Sequence, residues 1–328
     1  MDSESEDVAK SYLGFADFEA KGASNVYEAL AREVAVSPPA LKFLCRLPAE
    51  KRQPNLLFAA LQYLECLPPA DGLTEMVLER AGDLEEVMRK RSTQTNEPGR
   101  CAALLPILAR IGRPLAIIEV GASAGLCLLP DRYGYTYTTE TGSITIPAPE
   151  AGAPQFECAA VGNVPLADRH PEIVWRRGLD LNPLDAGSKE DAAWLRALVW
   201  PEHEMRRQRL DKALTVAAVM PELRVVAGDL RDGLEGLLAD VPAGAVPVVF
   251  HTAVLSYVKD LDERDAFQQR MLDSGAIWIS NEAPKVLATT RSHTAPAKAG
   301  LSFLTCLNGV PQYWAAPYGD WLSDFSLA

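Results

Sequence analysis

The chain has 328 residues, 48% hydrophobic and 23% charged, a globular balance with room for one large domain or two smaller ones. Its formal net charge of −12 sets up a field that repels nucleic acid and anionic lipid, arguing against non-specific phosphate binding. No run of about 18 apolar residues occurs and MDSESEDVAK lacks an apolar core, so the sequence predicts neither a membrane span nor a secretory signal, but a cytoplasmic protein. The six cysteines (45, 66, 101, 127, 158 and 306) show no C-x-x-C and no His at zinc-ligand spacing, which fits scattered thiols of a reduced interior and implies no metal.

Residues 1 to about 112 read as helices. Ser24 caps a segment with Tyr27, Leu30, Ala31 and Val34 at helical spacing. Pro38-Pro39 opens a short helix, Pro54 starts PNLLFAALQYLECL, and DGLTEMVLERAGDLEEVMRKR continues with a break at Gly82. No period-two alternation appears in this region, so no sheet is expected there.

From Arg113-Pro114 onward the pattern changes. PLAIIEV is a short apolar run bounded by Pro and Gly, as in a strand buried on both faces. SAGLCLL reads as the start of a helix with Ser123 at its N-terminus, and YGYTYTTETGSITIP as a hairpin. EIVWRRGLDLNP carries a strand stopped by Pro183, and two amphipathic helices follow, Ser188 to Val199 and Pro201 to about Ala218. ELRVVAGDL, VPVVFHTAVL and AIWISNEAP read as strands, separated by helices at RDGLEGLLADV and 262–273. Beyond an Ala/Thr/Pro-rich loop at 288–300, LSFLTCLNGVPQYWAA forms two runs around Asn308-Gly309, a hairpin signal.

The segment IIEVGASAG satisfies two chemical patterns. As G-x-S-x-G it offers Ser123 as the nucleophile of a serine hydrolase, with Asp229 or Asp260 and His251 or His293 in the required chain order. As a strand ending in Glu119, followed by Gly121 and Gly125, it offers bare backbone to a nucleotide-like cofactor. Asp180 then ends the next strand, where a carboxylate can accept from ribose hydroxyls, and Asp229 ends the one after, where it can accept from an adenine amino group. The upstream sequence has no HGGG-type loop for an oxyanion hole, which favours the cofactor pattern. NAD is a lesser alternative, because G-x-x-x-G is not G-x-G-x-x-G.

Acidic strand ends plus a terminal hairpin resemble the class I S-adenosylmethionine-dependent methyltransferases over roughly residues 113–318. That resemblance implies a Rossmann-like α/β fold: a doubly wound, mainly parallel sheet with a C-terminal antiparallel hairpin at its edge, here preceded by an α-helical region. It divides the chain into a helical cap at 1–112 and a methyltransferase-type domain at 113–328. An inserted hairpin at about 133–171 would account for the long spacing between Gly125 and Asp180. It further implies S-adenosyl-L-methionine as cofactor, with Glu119, Gly121, Ser123 and Gly125 around its amino acid part, Asp180 on the ribose, and Asp229 with Leu230 at the adenine. The stretches RSTQTNEPGRCAALLP, EVGASAGLCLLPDRYGY, GLDLNPLD, ALVWPEHEMRR and WISNEAP are similar to a bacterial domain-of-unknown-function family, number 2332, over nearly the whole chain. In that family Asn is usual where Cys127 stands, and kinship to it implies no particular chemistry.

Other polar residues have two readings each. Gln94, Asn96 and Arg100 either reach substrate from a lid or close a structural turn. His251 follows an apolar strand and is either a general base or a hydrogen-bonded structural histidine, with Glu282 and Tyr257 as further catalytic candidates. His203 and the run Arg206, Arg207, Arg209 fit a solvated face pairing with Glu202 and Glu204. The expected activity is methyl transfer to a small-molecule acceptor. A non-catalytic nucleotide-binding or scaffolding protein stays open, as does the hydrolase, and nothing in the sequence fixes the oligomeric state.

Overall fold

A computed structural model describes residues 3–94, 96–294 and 302–325. Residues 295–300 of the Ala/Thr/Pro-rich loop lie outside the described residues. Six helices come first: α1 (Ser3–Phe15), α2 (Asn25–Val36), α3 (Pro38–Cys45), α4 (Pro54–Tyr63), α5 (Leu73–Glu79) and α6 (Ala81–Lys90). Next come α7 (Cys101–Arg110), β1 (Leu115–Val120), β2 (Gly134–Thr139), β3 (Gly142–Ile146), β4 (Gln155–Val161) and β5 (Ile173–Asp180). Helices α8 (Lys189–Ala197) and α9 (Glu204–Ala218) precede β6 (Val225–Ala227), α10 (Leu234–Ala239) precedes β7 (Val246–Thr252), and α11 (Leu261–Asp273) precedes β8 (Ile277–Glu282). The last strands are β9 (Phe303–Leu307), β10 (Val310–Ala315) and β11 (Trp321–Ser323). Among the described residues no helix is long and apolar enough to cross a membrane.

The chain forms two compact units, one of residues 1–95 with 189–208, the other of 96–188 with 209–328. The division therefore falls before α7, not at 112/113, and residues 189–208 join the helices. In the helical unit the Gln62 amide donates to the carbonyls of Ala197 (2.9 Å), the last residue of α8, and Val199 (3.0 Å), just beyond it. Ser24 Oγ accepts from Tyr27 N at 3.0 Å, the cap its sequence position predicts, and Ser37 caps α3 with Pro38 in the first turn. The break between α5 and α6 comes at Arg80; Gly82 lies inside α6. Glu202 accepts from Ser24 Oγ (2.7 Å) and Val26 N (2.9 Å), so of the two expected acidic partners only Glu204 meets the basic run, through Arg207 at 3.6 Å.

The second unit is built on one 11-stranded, mostly parallel sheet in the order β3-β2-β4-β11-β10-β9-β8-β7-β1-β5-β6. Hairpin β9–β10 turns at Asn308-Gly309, both at positive φ (49° and 75°), as the dipeptide predicts. The hairpin lies inside the sheet, not at its edge, because β11 pairs with β10 on one side and with β4 on the other. The segment after β1 is thus no peripheral decoration: β2, β3 and β4 continue the sheet to its far end.

On one face, α10 and α11 pack Leu234, Leu237, Phe267 and Met271 onto Ile118, Val120, Leu179, Val249 and Trp278. On the other face lies α7, which runs through Pro106. Pro106 has no N–H to give the carbonyl of Ala102, and Tyr137 Oη donates to that carbonyl at 2.8 Å. Tyr313 Oη donates to Ala103 O in the next position, at 2.7 Å. A Cβ at Gly319 would come within 1.9 Å of Gly99 O, so two glycines are needed where the turn before α7 crosses the loop after β10.

Candidate functional site

Within the sheet β5 and β6 lie on one side of β1, and β7 and β8 on the other. The loops that follow β1 and β7 meet where Val254 packs over Gly121. Strand alternation decides which side chains reach each face there. Glu119, Asp180, Thr252 and Asn281 lie on the α7 face; Val120, His251, Ser280 and Glu282 lie on the α10/α11 face.

Glu119 is 1% exposed, and its Oε2 has no hydrogen-bond partner. Burial pushes its carboxyl well above the usual range, Cys127 and Asp180 adding to the rise and Arg100 opposing it. Asp180 accepts from Ser123 N and Asn182 N, each at 2.8 Å, one per oxygen. It thus fixes the turn after β1 and its own Asx turn. Arg100, 8% exposed, donates from Nε to Pro317 O (2.9 Å) and from Nη1 to Thr252 O and Oγ1 (3.0 and 3.3 Å).

Two expectations for the loop after β1 are corrected. Residues 126–128 make one 3-10 turn, not an α-helix, so neither a helix N-terminus nor the strand–turn–helix of a nucleophile elbow forms. Ser123, 3% exposed with φ +51°, precedes that turn and gives its N–H to Asp180. The bare positions are also occupied from within: a Cβ on Gly121 would meet Val254 Cγ2 at 2.4 Å, and one on Gly125 would meet Leu223 Cδ1 at 3.0 Å. Both glycines, at φ +72° and +73°, serve the turn and the protein's own packing. Asn96 caps the 3-10 turn, its Oδ1 accepting from Leu126 N at 2.8 Å, and Cys127 Sγ makes a 3.3 Å contact with Glu97 O. Gln94 belongs to the helical unit.

His251 and Glu282 are together, on the opposite face. His251 is 0% exposed, stacked on Trp278 and edge-on to Phe267, with Nδ1 2.7 Å from Glu282 Oε1. The same oxygen accepts from Val254 N (2.8 Å) and Leu255 N (3.1 Å), so Glu282 pins the turn after β7. Tyr257, in that turn, is 67% exposed. Asp229 accepts from Arg231 N (2.9 Å) and pairs with its guanidinium (3.0 Å), and Leu230 packs into the apolar cluster under α10 and α11.

Sequence reasoning missed Thr252, Val254 and Asn281. Asn281 is 0% exposed; its Oδ1 accepts from Thr305 Oγ1 at 3.2 Å and its Nδ2 has no partner. The signal was present in WISNEAP: period two puts Asn281 opposite in sense to Glu282. Among the described residues no three His, Cys, Asp or Glu side chains are grouped to hold a metal ion.

No curated protein matches the sequence. The model of the DUF2332 family, described as an uncharacterized protein conserved in bacteria, matches residues 9–323, and the chain belongs to that family.

Proposed function

We propose that the protein is an S-adenosylmethionine-dependent methyltransferase acting on a small acceptor, with a Rossmann-like sheet as its scaffold. The observation that carries the reading is Glu119: a carboxyl 1% exposed, one oxygen without a partner, near the C-terminal end of β1 in the parallel part of the sheet. An unsatisfied buried acceptor is costly, and an ammonium group would satisfy it. The parallel order β6-β5-β1-β7-β8, with acids ending β1 and β5 and following β6, supports the same assignment.

The residues that fit the cofactor are Glu119, for its amino group, and Asp180, a carboxylate at the end of β5, for ribose hydroxyls. Gly121 and Gly125 supply no cradle, since Val254 and Leu223 use that space. When bound, S-adenosylmethionine supplies an electrophilic methyl group on its sulfonium sulfur. The chain's part is to orient and to exclude water: Asp180 fixes the Ser123 turn, and Glu282 fixes the turn that carries Val254. His251 serves here as a support of Glu282 rather than a base, because its ring lies in the apolar packing of the other face.

Calorimetry with S-adenosylmethionine, S-adenosylhomocysteine and NAD tests the reading. Binding of the two adenosyl ligands is expected, weakened by Asp180→Ala and coupled to proton release from Glu119, so the observed heat varies with the buffer's ionisation enthalpy. No binding at about millimolar concentration, a weak affinity of roughly 4 kcal/mol, overturns it.

A further inference from the structure

We infer that Arg100, Asn281 and Thr252 form a binding site for a carboxylate-bearing small molecule, on the α7 face at the ends of β7 and β8. Three arginines are buried among the described residues. Arg176 meets Asp131 at 2.9 Å, and Arg91 meets Asp191 at 2.6 Å and Glu190 at 2.7 Å. Arg100 meets no carboxylate among the described residues: its three hydrogen bonds go to neutral oxygens, and its Nη2 donates to no described residue. Phe303, 5.6 Å from the guanidinium carbon, covers one side. A buried guanidinium lacking a counter-ion is unfavourable, and the nearby acid, Glu119, is held towards its neutral form by burial.

Asn281 supplies a second unmet donor next to it. Thr305 Oγ1 binds its Oδ1 and so leaves Nδ2 as the unpartnered end. Both groups flank one residue: Arg100 Nη1 reaches Thr252 O and Oγ1, and Asn281 is the strand partner of Thr252. A cationic and an amide donor side by side call for a ligand with two acceptor oxygens and one negative charge. A carboxylate has that form. A phosphate dianion carries more charge than one guanidinium offsets and faces repulsion from Asp180 and the net charge of −12. The inference stands apart from the sulfonium donor, whose binding is measured separately.

The test is thermal unfolding of the full chain in sodium acetate, acetamide, sodium chloride and inorganic phosphate at matched ionic strength. Acetate should raise the unfolding midpoint where acetamide and chloride do not. Asn281→Asp should raise the midpoint without any ligand, by giving Arg100 its counter-ion, and remove the acetate response. A structural role alone gives the opposite sign, since it only buries a charge. Arg100→Lys, which keeps the charge but loses the planar fork, should weaken acetate binding roughly tenfold. An equal response to acetate and acetamide, a larger response to phosphate, a lowered midpoint in Asn281→Asp, or no acetate response below the concentration at which chloride itself acts would each overturn the site.

Discussion

Ser123 gives its backbone N–H to Asp180 Oδ2 at 2.8 Å, tying the turn after β1 to the end of β5. The other oxygen takes Asn182 N at the same distance, so one carboxylate shapes both turns. Asp180→Asn presents an amide N–H to one of those donors and should cost about 1.5–3 kcal/mol, read as a lower urea midpoint at unchanged slope. Affinity for S-adenosylhomocysteine should fall with it. Retained affinity in a folded variant would remove Asp180 from the ribose.

Glu119 gives stability a pH dependence of known sign. Its folded-state carboxyl titrates above the ordinary value of 4.5, so the folded chain holds that proton more tightly than the unfolded one. The contribution is fully present below the ordinary value and is lost as pH rises through the raised one. Glu119→Gln should match the wild type near pH 4 and exceed it in thermal midpoint at pH 8. Identical pH profiles for the two proteins would contradict this account.

Val254 fills the space that Gly121 leaves. Gly121→Ala adds a Cβ 2.4 Å from Val254 Cγ2 at a φ of +72°, and should destabilise by about 1–3 kcal/mol. Val254→Ala in the same chain removes the clash but not the backbone strain, so part of the loss should return. Purely additive effects in a double-mutant cycle would show that the two do not meet.

Tyr137 and Pro106 form a complementary pair across α7. Tyr137→Phe leaves the Ala102 carbonyl buried without a donor and should cost about 1–3 kcal/mol. Adding Pro106→Ala supplies the missing helix N–H, so Tyr137→Phe should cost less in that background. Denaturant unfolding of the four proteins measures the coupling, and a zero coupling would sink the explanation.

What the sequence determined by itself was local. The Ser24 cap, the proline starts of α3 and α4, the doubly buried β1 and the Asn308-Gly309 turn each depend on a few neighbouring residues, whose backbone preferences are written in their types. Glu119 and Asp180 were likewise visible as acids ending apolar strands. The helix after Ser123 failed because caps and tertiary contacts from Asn96 and Asp180 outweigh propensity over so short a stretch. Only the tertiary structure decided that β2 to β4 extend the sheet through β11, that Gly121 meets Val254 rather than open space, and that His251 and Glu119 stand on opposite faces. Those outcomes rest on pairing between residues far apart in the chain, where register and strand order, not composition, choose the neighbour.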